Sequence, residues 1–378
     1  MRTAVIDRSG LDTLIGVLRQ RGYLVVGPTV REGAIVYDQV TSVVDLPKGW
    51  TDEQDGGTYR LRPRSDQALF GYGVGPQSWK KYLFPSRTLL WRGRRTEEGF
   101  EIEAGPEASG PYAFLGVRGC ELAAIAIQDL VFAGGSFADP TYSSSRQRAF
   151  VIAVNCGSPA GTCFCVSMGT GPRAGPGFDL SLTELMSDNR HEFLVEIGSP
   201  RGGEILAEVP QRPDEPEDRR RADAVIEWAA AHMGRALDTG GIKDLFYGSY
   251  EHSRWDEVAR RCLTCANCTM VCPTCFCSTV EDTSDLTGTI AERWRTWDSC
   301  FSLEFSYLGG GNVRSSTRSR YRQWLTHKLA TWIDQFGTSG CVGCGRCITW
   351  CPVGIDLTEE VEGLRALSRS SKEVANVP

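Results

Sequence analysis

Two runs of cysteines near the C-terminus have the residue types and the spacing of a metal centre. The first run is CLTCANCTMVCP (Cys262 to Pro273), and the second run is CVGCGRCITWCP (Cys341 to Pro352). Each reads C-x2-C-x2-C-x3-C-P, the spacing that binds cubane [4Fe-4S] clusters. Three thiolates separated by two residues can surround one cluster, while the fourth lies about one helical turn further on. The repeated run therefore predicts two [4Fe-4S] clusters and the chemistry of electron transfer.

The fourth cysteine of each run is expected to bind the cluster of the other run, as it does in proteins with two clusters. The first site would then take Cys262, Cys265, Cys268 and Cys351, and the second site would take Cys341, Cys344, Cys347 and Cys272. Zinc and disulfides are the alternative uses of such cysteines. Zinc sites combine two C-x2-C halves rather than three thiolates followed by C-P, and disulfide scaffolds belong to short secreted chains. Iron–sulfur clusters are the better interpretation.

Seven of the fifteen cysteines lie outside these runs, and they form two groups: Cys120, Cys156, Cys163 and Cys165 in the first half, and Cys275, Cys277 and Cys300 beside the first run. Cys120 and Cys156 each follow a predicted strand, at the edge where open α/β sheets place ligands. A third [4Fe-4S] cluster is one interpretation of the first group, which we call the third site, and buried free thiols are the other. The second group lacks a complete ligand set, so packing, redox-active thiols and metal ligation remain open.

Composition limits the class of protein. The 378 residues are enough for two or three domains, and the net charge of −6 offers no basic field for nucleic acid or for an anionic membrane surface. No run approaches the roughly twenty apolar residues of a membrane-spanning helix, and the N-terminus does not resemble a signal sequence. We therefore expect a cytosolic protein, in a compartment that keeps thiols reduced for metal binding.

Prolines and charges at residues 211–221 (QRPDEPEDRRR) predict an exposed linker between domains at 1–210 and 222–378. In the first domain, apolar runs bounded by Gly, Pro and Asp predict strands, and apolar residues at helical spacing predict helices. The predicted strands are Tyr23–Val26, Ala34–Tyr37, Tyr112–Val117, Ala149–Val154 and Phe193–Ile197, and the predicted helices are Leu11–Arg19 and Glu121–Phe132. The first domain is therefore predicted to be α/β or α+β.

After the linker the pattern is helical, with helices predicted at Ala222–Leu237, Trp255–Arg261 and Ser319–Phe336. The second of these leads into the first run, and the third leads into the second run. The spacer between Cys272 and Cys341 is too long for two adjacent short repeats. We therefore predict an α-helical ferredoxin domain with two clusters, in which each run lies on a separate helical hairpin.

The chain also resembles the iron–sulfur β subunit of cytosolic NiFe hydrogenases of the sulfhydrogenase type, and equally the iron–sulfur electron-transfer subunit of anaerobic sulfite reductase. The resemblance spans nearly the whole chain. It rests on GPTVREGAIVYD (27–38), SWKKYLFP (78–85), GVRGCELAAI (116–125), NC (155–156), GTCFCVSMGTGP (161–172), RCLTCANCTMVCPTCFC (261–277), RYRQWLTHKL (320–329) and SGCVGCGRCITWCPVGID (339–356). The chain departs from the family at Gly119 and Glu121, where a proline and an aspartate are expected.

The resemblance implies a subunit without catalytic residues, which passes electrons between the small and large subunits of a NiFe hydrogenase and a flavin-bearing, NAD(P)-binding subunit. In the sulfite reductase alternative the electrons would reach a sirohaem subunit. Two alternatives come from other classes: a self-contained flavin iron–sulfur oxidoreductase, and a structural or sensing iron–sulfur protein. The sequence itself shows no dinucleotide fingerprint in a strand–turn–helix context, which agrees with a subunit that only carries electrons.

Overall fold

The computed structural model of the protein describes residues 2–106, 110–187 and 190–375. Within these ranges the strands are β1 (Thr3–Asp7), β2 (Leu24–Arg31), β3 (Ala34–Gln39), β4 (Trp50–Asp55), β5 (Thr58–Pro63), β6 (Arg87–Thr96), β7 (Gly99–Ala104), β8 (Tyr112–Val117), β9 (Phe150–Val154), β10 (Leu180–Ser187), β11 (Arg190–Ile197), β12 (Ser278–Ser284), β13 (Ile290–Trp297), β14 (Tyr307–Leu308) and β15 (Gly311–Asn312).

The α-helices of the same ranges are α1 (Arg8–Gln20), α2 (Lys80–Leu83), α3 (Gly119–Phe132), α4 (Pro140–Arg148), α5 (Pro200–Leu206), α6 (Pro216–Ala231), α7 (Ile242–Gly248), α8 (Arg254–Arg261), α9 (Asn267–Met270), α10 (Thr317–Thr326), α11 (Trp332–Phe336), α12 (Arg346–Thr349) and α13 (Leu357–Ala375). A 3-10 turn lies at Val43–Asp45, and a π-helical turn at His327–Thr331 joins α10 to α11. The helix predicted over Ser319–Phe336 is thus confirmed, with a π-turn in its middle.

The first half of the chain builds a seven-stranded sheet in the order β1-β11-β10-β9-β8-β2-β3. Its central pairs, β10 with β9, β9 with β8 and β8 with β2, are parallel, while the outer pairs are antiparallel. Strand β9 is buried along its whole length, as expected for a central strand covered on both faces. The five predicted strands fall in β2, β3, β8, β9 and β11, which confirms an N-terminal α/β region.

Alternate side chains of the sheet enter two cores. Phe150 and Ile152 pack with apolar residues of α1 and α5 on one face, whereas Val151 and Ala153 pack with α3 and α4 on the other. Helix α1 begins after Asp7, whose carboxylate accepts a hydrogen bond from the Gly10 N–H at 2.8 Å. Such an N-cap satisfies one of the free amides of the first turn. The parallel strands between these layers end together at one edge, next to the N-terminus of α3.

The four-stranded sheet corrects the prediction of a purely helical second domain. Its order is β12-β13-β6-β7, so a hairpin from residues 278–297 pairs with strands from residues 87–104. The register runs from Ile290 opposite Arg94 to Thr296 opposite Arg87, with a bulge at Arg293 and Trp294. The sequence IAERWRTW carries β-branched and aromatic residues that favour a strand, a signal that the helical prediction passed over. The long spacer between the two runs contains this hairpin.

The segment predicted as an exposed linker is ordered against the sheet. Arg212 exchanges main-chain hydrogen bonds of 2.9 Å with Val5, and its guanidinium contacts Glu192 at 3.1 Å and Asp218 at 2.7 Å. Helix α6 begins at Pro216, inside the predicted linker, because proline at the first helical position has a favourable fixed φ. The predicted helix of residues 222–237 is therefore shifted toward the N-terminus, while the division into two domains at this position stays a prediction.

The second half of the chain has a core of its own, to which the cysteine runs are attached. Trp255 and Val258 of α8 pack against Trp324 and Leu325 of α10, and α13 covers them. Trp255 is fully buried, and its indole N–H donates to the Ser249 carbonyl at 2.7 Å. Several cysteines of both runs lie at the margin of this core. The helices therefore hold the ends of the two runs in fixed positions.

A buried ion pair joins the second run to the sheet. Arg346 of α12 contacts the carboxylate of Glu121 on α3, and neither side chain is exposed by more than 1%. Arg346 also donates to the carbonyls of Gly75 and Gln77, both at 2.8 Å. Glu121 accepts hydrogen bonds from the Tyr37 hydroxyl at 2.7 Å and from the Trp79 indole at 3.0 Å. The glutamate that departs from the family resemblance is thus a fully bonded partner of the buried arginine.

We expect Glu121→Ala to lower stability strongly, because it leaves the Arg346 charge buried without its counter-ion. Removing one partner of a buried pair costs about 3–5 kcal/mol, which a urea unfolding curve of the full chain would show as a lower midpoint. The control is Asp223→Ala, which removes the exposed pair between Arg173 and Asp223 and should cost less than about 1 kcal/mol. Equal midpoints for the two variants would contradict this account.

Candidate iron–sulfur sites

The cysteines assigned to the first site line one cavity. Cys262, Cys265, Cys268 and Cys351 surround it, so the structure brings the fourth cysteine of the second run to the first run. Cys262 follows the last residue of α8, and Cys268 lies in the short helix α9. Between them Thr264 and Ala266 have φ of 51° and 67°, a left-handed conformation that is uncommon without glycine. This backbone turns the loop around the cavity.

Main-chain amides and apolar walls suit this cavity to a cluster with thiolate ligands. The Thr264 N–H points to the Cys262 sulfur at 3.4 Å, and the Ile355 N–H points to the Cys351 sulfur at 3.3 Å. Hydrogen bonds to the sulfurs tune the reduction potential of a cluster. The walls include Tyr321 and Trp324, whose buried Oη and Nε1 atoms have no partner among the described residues. Sulfide or thiolate acceptors in the cavity would satisfy these donors.

The second site is assembled in the same way, with Cys272 of the first run beside the second run. Burial raises the pKa of Cys347 well above its ordinary value, and the neighbouring thiols of Cys341, Cys344 and Cys272 raise it further. Burial also raises the pKa of Cys341 to about 12. Four buried thiols this close stay protonated unless a metal replaces their protons. The arrangement can therefore bind a cluster of four thiolates.

The third site is also assembled. Cys120, Cys156, Cys163 and Cys165 line a single cavity. Cys120 lies in the first turn of α3 directly after β8, and Cys156 follows β9, so both come from the carboxyl edge of neighbouring parallel strands. Burial raises the pKa of Cys120 and Cys163 well above the ordinary value, and that of Cys165 to about 12. These thiols resemble those of the second site in burial and in mutual proximity.

A buried arginine lies beside the third site. Arg118 lines the cavity, and its guanidinium donates to the carbonyls of Phe70 at 2.7 Å and Tyr72 at 3.1 Å. Its Nε is buried and has no partner among the described residues. A cluster with four thiolates is an anion, so a buried cation with a free N–H fits it. Sequence reasoning missed Arg118, since an arginine after a strand gives no sign of burial.

The loop that carries Cys163 and Cys165 packs on the second run. The Phe164 N–H donates to the Gly343 carbonyl at 2.8 Å, and the Thr170 hydroxyl donates to the Val342 carbonyl at 2.6 Å. The Cys163 sulfur lies 3.9 Å from the Cys344 carbonyl oxygen. The second and third sites are therefore neighbours, and Cys344 is the element of the second site that faces the third.

Gly119 makes room for the loop behind the third site. A Cβ on Gly119 would lie 2.6 Å from the carbonyl oxygen of Arg173 and 3.1 Å from that of Thr170. The proline expected from the family resemblance would meet the same atoms unless this loop moved. The chain therefore departs from the family where the loop and the start of α3 are in direct contact, next to Cys120.

The remaining cysteines pair with neighbours rather than lining these cavities. Cys277 precedes β12 and Cys300 follows β13, and a hydrogen bond from Cys300 lowers the pKa of Cys277 to about 7. Cys275 hydrogen-bonds to Cys272 of the second site. In residues 2–106, 110–187 and 190–375, no three His, Cys, Asp or Glu side chains converge on a point suited to a single metal ion. A cubane requires no such convergence, because each thiolate binds a different iron.

Comparisons with known proteins agree with this geometry. Residues 261–355 match a family described as a 4Fe-4S dicluster domain. Over 289 residues the chain is 33% identical to sulfhydrogenase 2 subunit beta of Pyrococcus furiosus, and the alignment covers 76% of this chain and 82% of that relative. No solved structure matches the chain. None of the helices in the described ranges is long and apolar enough to cross a membrane.

We expect Gly343→Ala to disturb the second and third sites together. Gly343 has φ of 67°, and an added Cβ would lie 2.6 Å from the Phe164 carbonyl oxygen and 2.7 Å from the Cys165 Cα, which are main-chain atoms that cannot turn aside. Iron and sulfide per chain, measured after anaerobic purification, should fall. Gly337→Ala is the control: its φ of 72° brings similar strain, about 1–2 kcal/mol, but no atom lies within 4 Å. Full iron in Gly343→Ala would refute the contact.

Proposed function

We propose that this chain, which belongs to the sulfhydrogenase β-subunit family and is an iron–sulfur electron-transfer subunit, relays electrons between two kinds of partner. One is a flavin-bearing, NAD(P)-binding subunit, and the other is the pair of small and large subunits of a NiFe hydrogenase. The chain itself would carry electrons without a substrate site. A cytosolic, reducing compartment is part of the proposal, since all fifteen cysteines are free of disulfides.

The observation that carries the proposal is the crossing of the two cysteine runs. Cys351 lies with Cys262, Cys265 and Cys268 around the first cavity, and Cys272 lies with the first three cysteines of the second run. Each run therefore contributes to both sites, which keeps two clusters close together. We assign one [4Fe-4S] cluster to each of these sites. Electrons would pass between them through the short segments that link the third and fourth cysteines.

A third [4Fe-4S] cluster at Cys120, Cys156, Cys163 and Cys165 extends this path. The four thiols share one cavity, and Cys344 of the second site lies close enough to Cys120, Cys163 and Cys165 to raise the pKa of each. We therefore propose a linear relay in which the second site lies between the first and the third. When bound, the clusters supply one-electron chemistry, and the chain supplies thiolates, hydrogen bonds and exclusion of water.

The first site is the proposed point of exchange with a partner. Cys265 is exposed, and Leu263, which lines the same cavity, is 60% exposed. Cys344 of the second site is buried by contrast. A cluster near the surface can approach the cofactor of another subunit, whereas a buried one exchanges electrons only with its neighbours. The choice between hydrogenase and sulfite reductase partners favours the hydrogenase, since the relative reported above is a sulfhydrogenase subunit.

Iron analysis tests the third cluster. Anaerobically purified chain should hold about twelve irons with three cubanes and about eight with two. Cys163→Ser should lower the number by about four, because it removes one ligand of the third site. Cys277→Ser is the control, since Cys277 lies outside the three cavities, and it should keep the wild-type iron. If Cys163→Ser retains as much iron as the control, the third cluster is wrong while the first two stand.

Replacing a ligand of the central site tests the relay. In the assembled complex, Cys344→Ser should abolish NAD(P)-coupled hydrogenase activity, because electrons can no longer cross the second site. Hydrogen oxidation with an artificial dye that takes electrons directly from the hydrogenase subunits should stay unchanged. Cys300→Ser serves as the control and should retain both activities. Coupled activity at the wild-type rate in Cys344→Ser would sink the proposed path, and flavin bound to the isolated chain would favour a self-contained oxidoreductase.

A further inference from the structure

Lys328 is a buried lysine in the π-helical turn that leads to the second run. Its side chain is 2% exposed, and its Nζ has three neighbours at hydrogen-bonding distance. These are the Cys272 sulfur at 3.2 Å, the Thr274 hydroxyl oxygen at 3.2 Å and the Gly340 carbonyl oxygen at 3.0 Å. A lysine ammonium has three N–H donors, whereas the neutral amine has only two. The three acceptors therefore match the charged form.

Thr274 fixes this geometry. Its hydroxyl donates to the Gly340 carbonyl at 2.6 Å, so its single proton is used there and its oxygen is free to accept from Lys328. The Thr274 side chain is fully buried. The lysine is thus held by one hydroxyl and one carbonyl, both neutral, with its third N–H directed at a cluster ligand. Cys272 is the only ionisable group among these three contacts.

Burying a charge in this way is unfavourable unless an anion compensates it. Among the ion pairs of the described residues, none joins Lys328 to a carboxylate. Arg346, the other buried cation near the second site, is neutralised by Glu121. The negative charge that accounts for Lys328 is therefore that of the second site itself. A cluster with four thiolates gains one further negative charge when it is reduced, which makes the nearby ammonium more favourable still.

We propose that Lys328 raises the reduction potential of the second cluster, so that this cluster holds the electron more tightly than the first. The inference rests on the proposed function, because it assumes that the second site binds a cluster. The first cavity has no lysine or arginine in its lining, so its cluster lacks a matching positive charge. Hydrogen bonds and charge near the ligands are among the levers by which a protein sets cluster potentials. The buried middle position is thereby the favoured resting place of an electron on the relay.

A redox titration of the holoprotein, followed by electron paramagnetic resonance, tests this role. The signal of the second cluster is the one that Cys344→Ser removes. In Lys328→Met that signal should need a lower potential for half-reduction. At the wild-type midpoint the variant cluster should be at least tenfold more oxidised than reduced, a shift of about 59 mV for one electron. The signal of the first cluster should move less.

Lys80 provides a matched control. It is 3% exposed, and its Nζ donates to the Cys275 carbonyl at 3.1 Å and lies 3.9 Å from the centre of the Trp297 ring. Lys80→Met therefore removes a buried lysine of the same region that does not donate to a cluster ligand. Its second-cluster midpoint should stay closer to wild type than that of Lys328→Met. Equal shifts in the two variants would show that a specific contact is not responsible.

A second variant keeps the test decisive if methionine disrupts the site. Lys328→Gln retains N–H donors but carries no charge, so it too should lower the midpoint. Wild-type potentials in both variants with full iron content would overturn the proposal and leave the relay intact. Loss of the second cluster in both variants would also overturn it, since Lys328 would then be a structural residue. A wild-type chain without clusters would instead refute the proposed function.

Discussion

The crossing of the two cysteine runs is the constraint on which the rest of the structure depends. Cys351 reaches the cavity of the first run and Cys272 reaches the second run, although a long segment separates the runs. A metal group that closes such a long loop removes much of the conformational freedom of the unfolded chain. The buried thiols are held protonated without metal, so binding of clusters, release of protons and folding of this half are linked.

The crossing also determines where the first half of the chain is attached. The third site lies on the carboxyl edge of β8 and β9, and its loop is fixed to the second run by the Phe164 and Thr170 hydrogen bonds. Arg346 and Glu121 strengthen the same contact with a buried ion pair. Electrons that leave the second site toward the sheet therefore travel across a rigid, dry interface. A mobile domain boundary here would vary the distance between neighbouring clusters, and electron transfer depends steeply on that distance.

Much of this organisation is legible in local sequence. The spacing of the eight motif cysteines indicates which residues come together, because the geometry of a cubane leaves little freedom. Alternating apolar residues in β9 and the helical stripe of α1 indicate the α/β region. Cys120 and Cys156 were predicted to meet because parallel strands end at a common edge, and in the structure they share a cavity with Cys163 and Cys165.

The features that sequence reasoning missed depend on contacts between distant segments. The pairing of β13 with β6 joins residues 290–296 to residues 87–94, and no local pattern specifies a partner so far away. The charged segment at 211–221 has the composition of a linker, yet Arg212 finds Glu192 and Asp218 and becomes part of the fold. Lys328 lies in a helical stretch where a lysine normally faces solvent. Its burial follows only from the positions of Cys272, Thr274 and Gly340.

The distribution of charge gives the relay a direction of preference that its cysteines alone do not. The cysteine ligand sets of the first and second sites are chemically the same, so their potentials can differ only through their surroundings. The first cavity is walled by aromatic and aliphatic side chains with uncharged donors, while a lysine without a carboxylate partner contacts the second site. In a medium of low dielectric constant that difference is large and poorly screened. An exposed cluster of lower potential beside a buried one of higher potential would draw electrons inward from a partner at the surface, which protects them from stray acceptors in solvent.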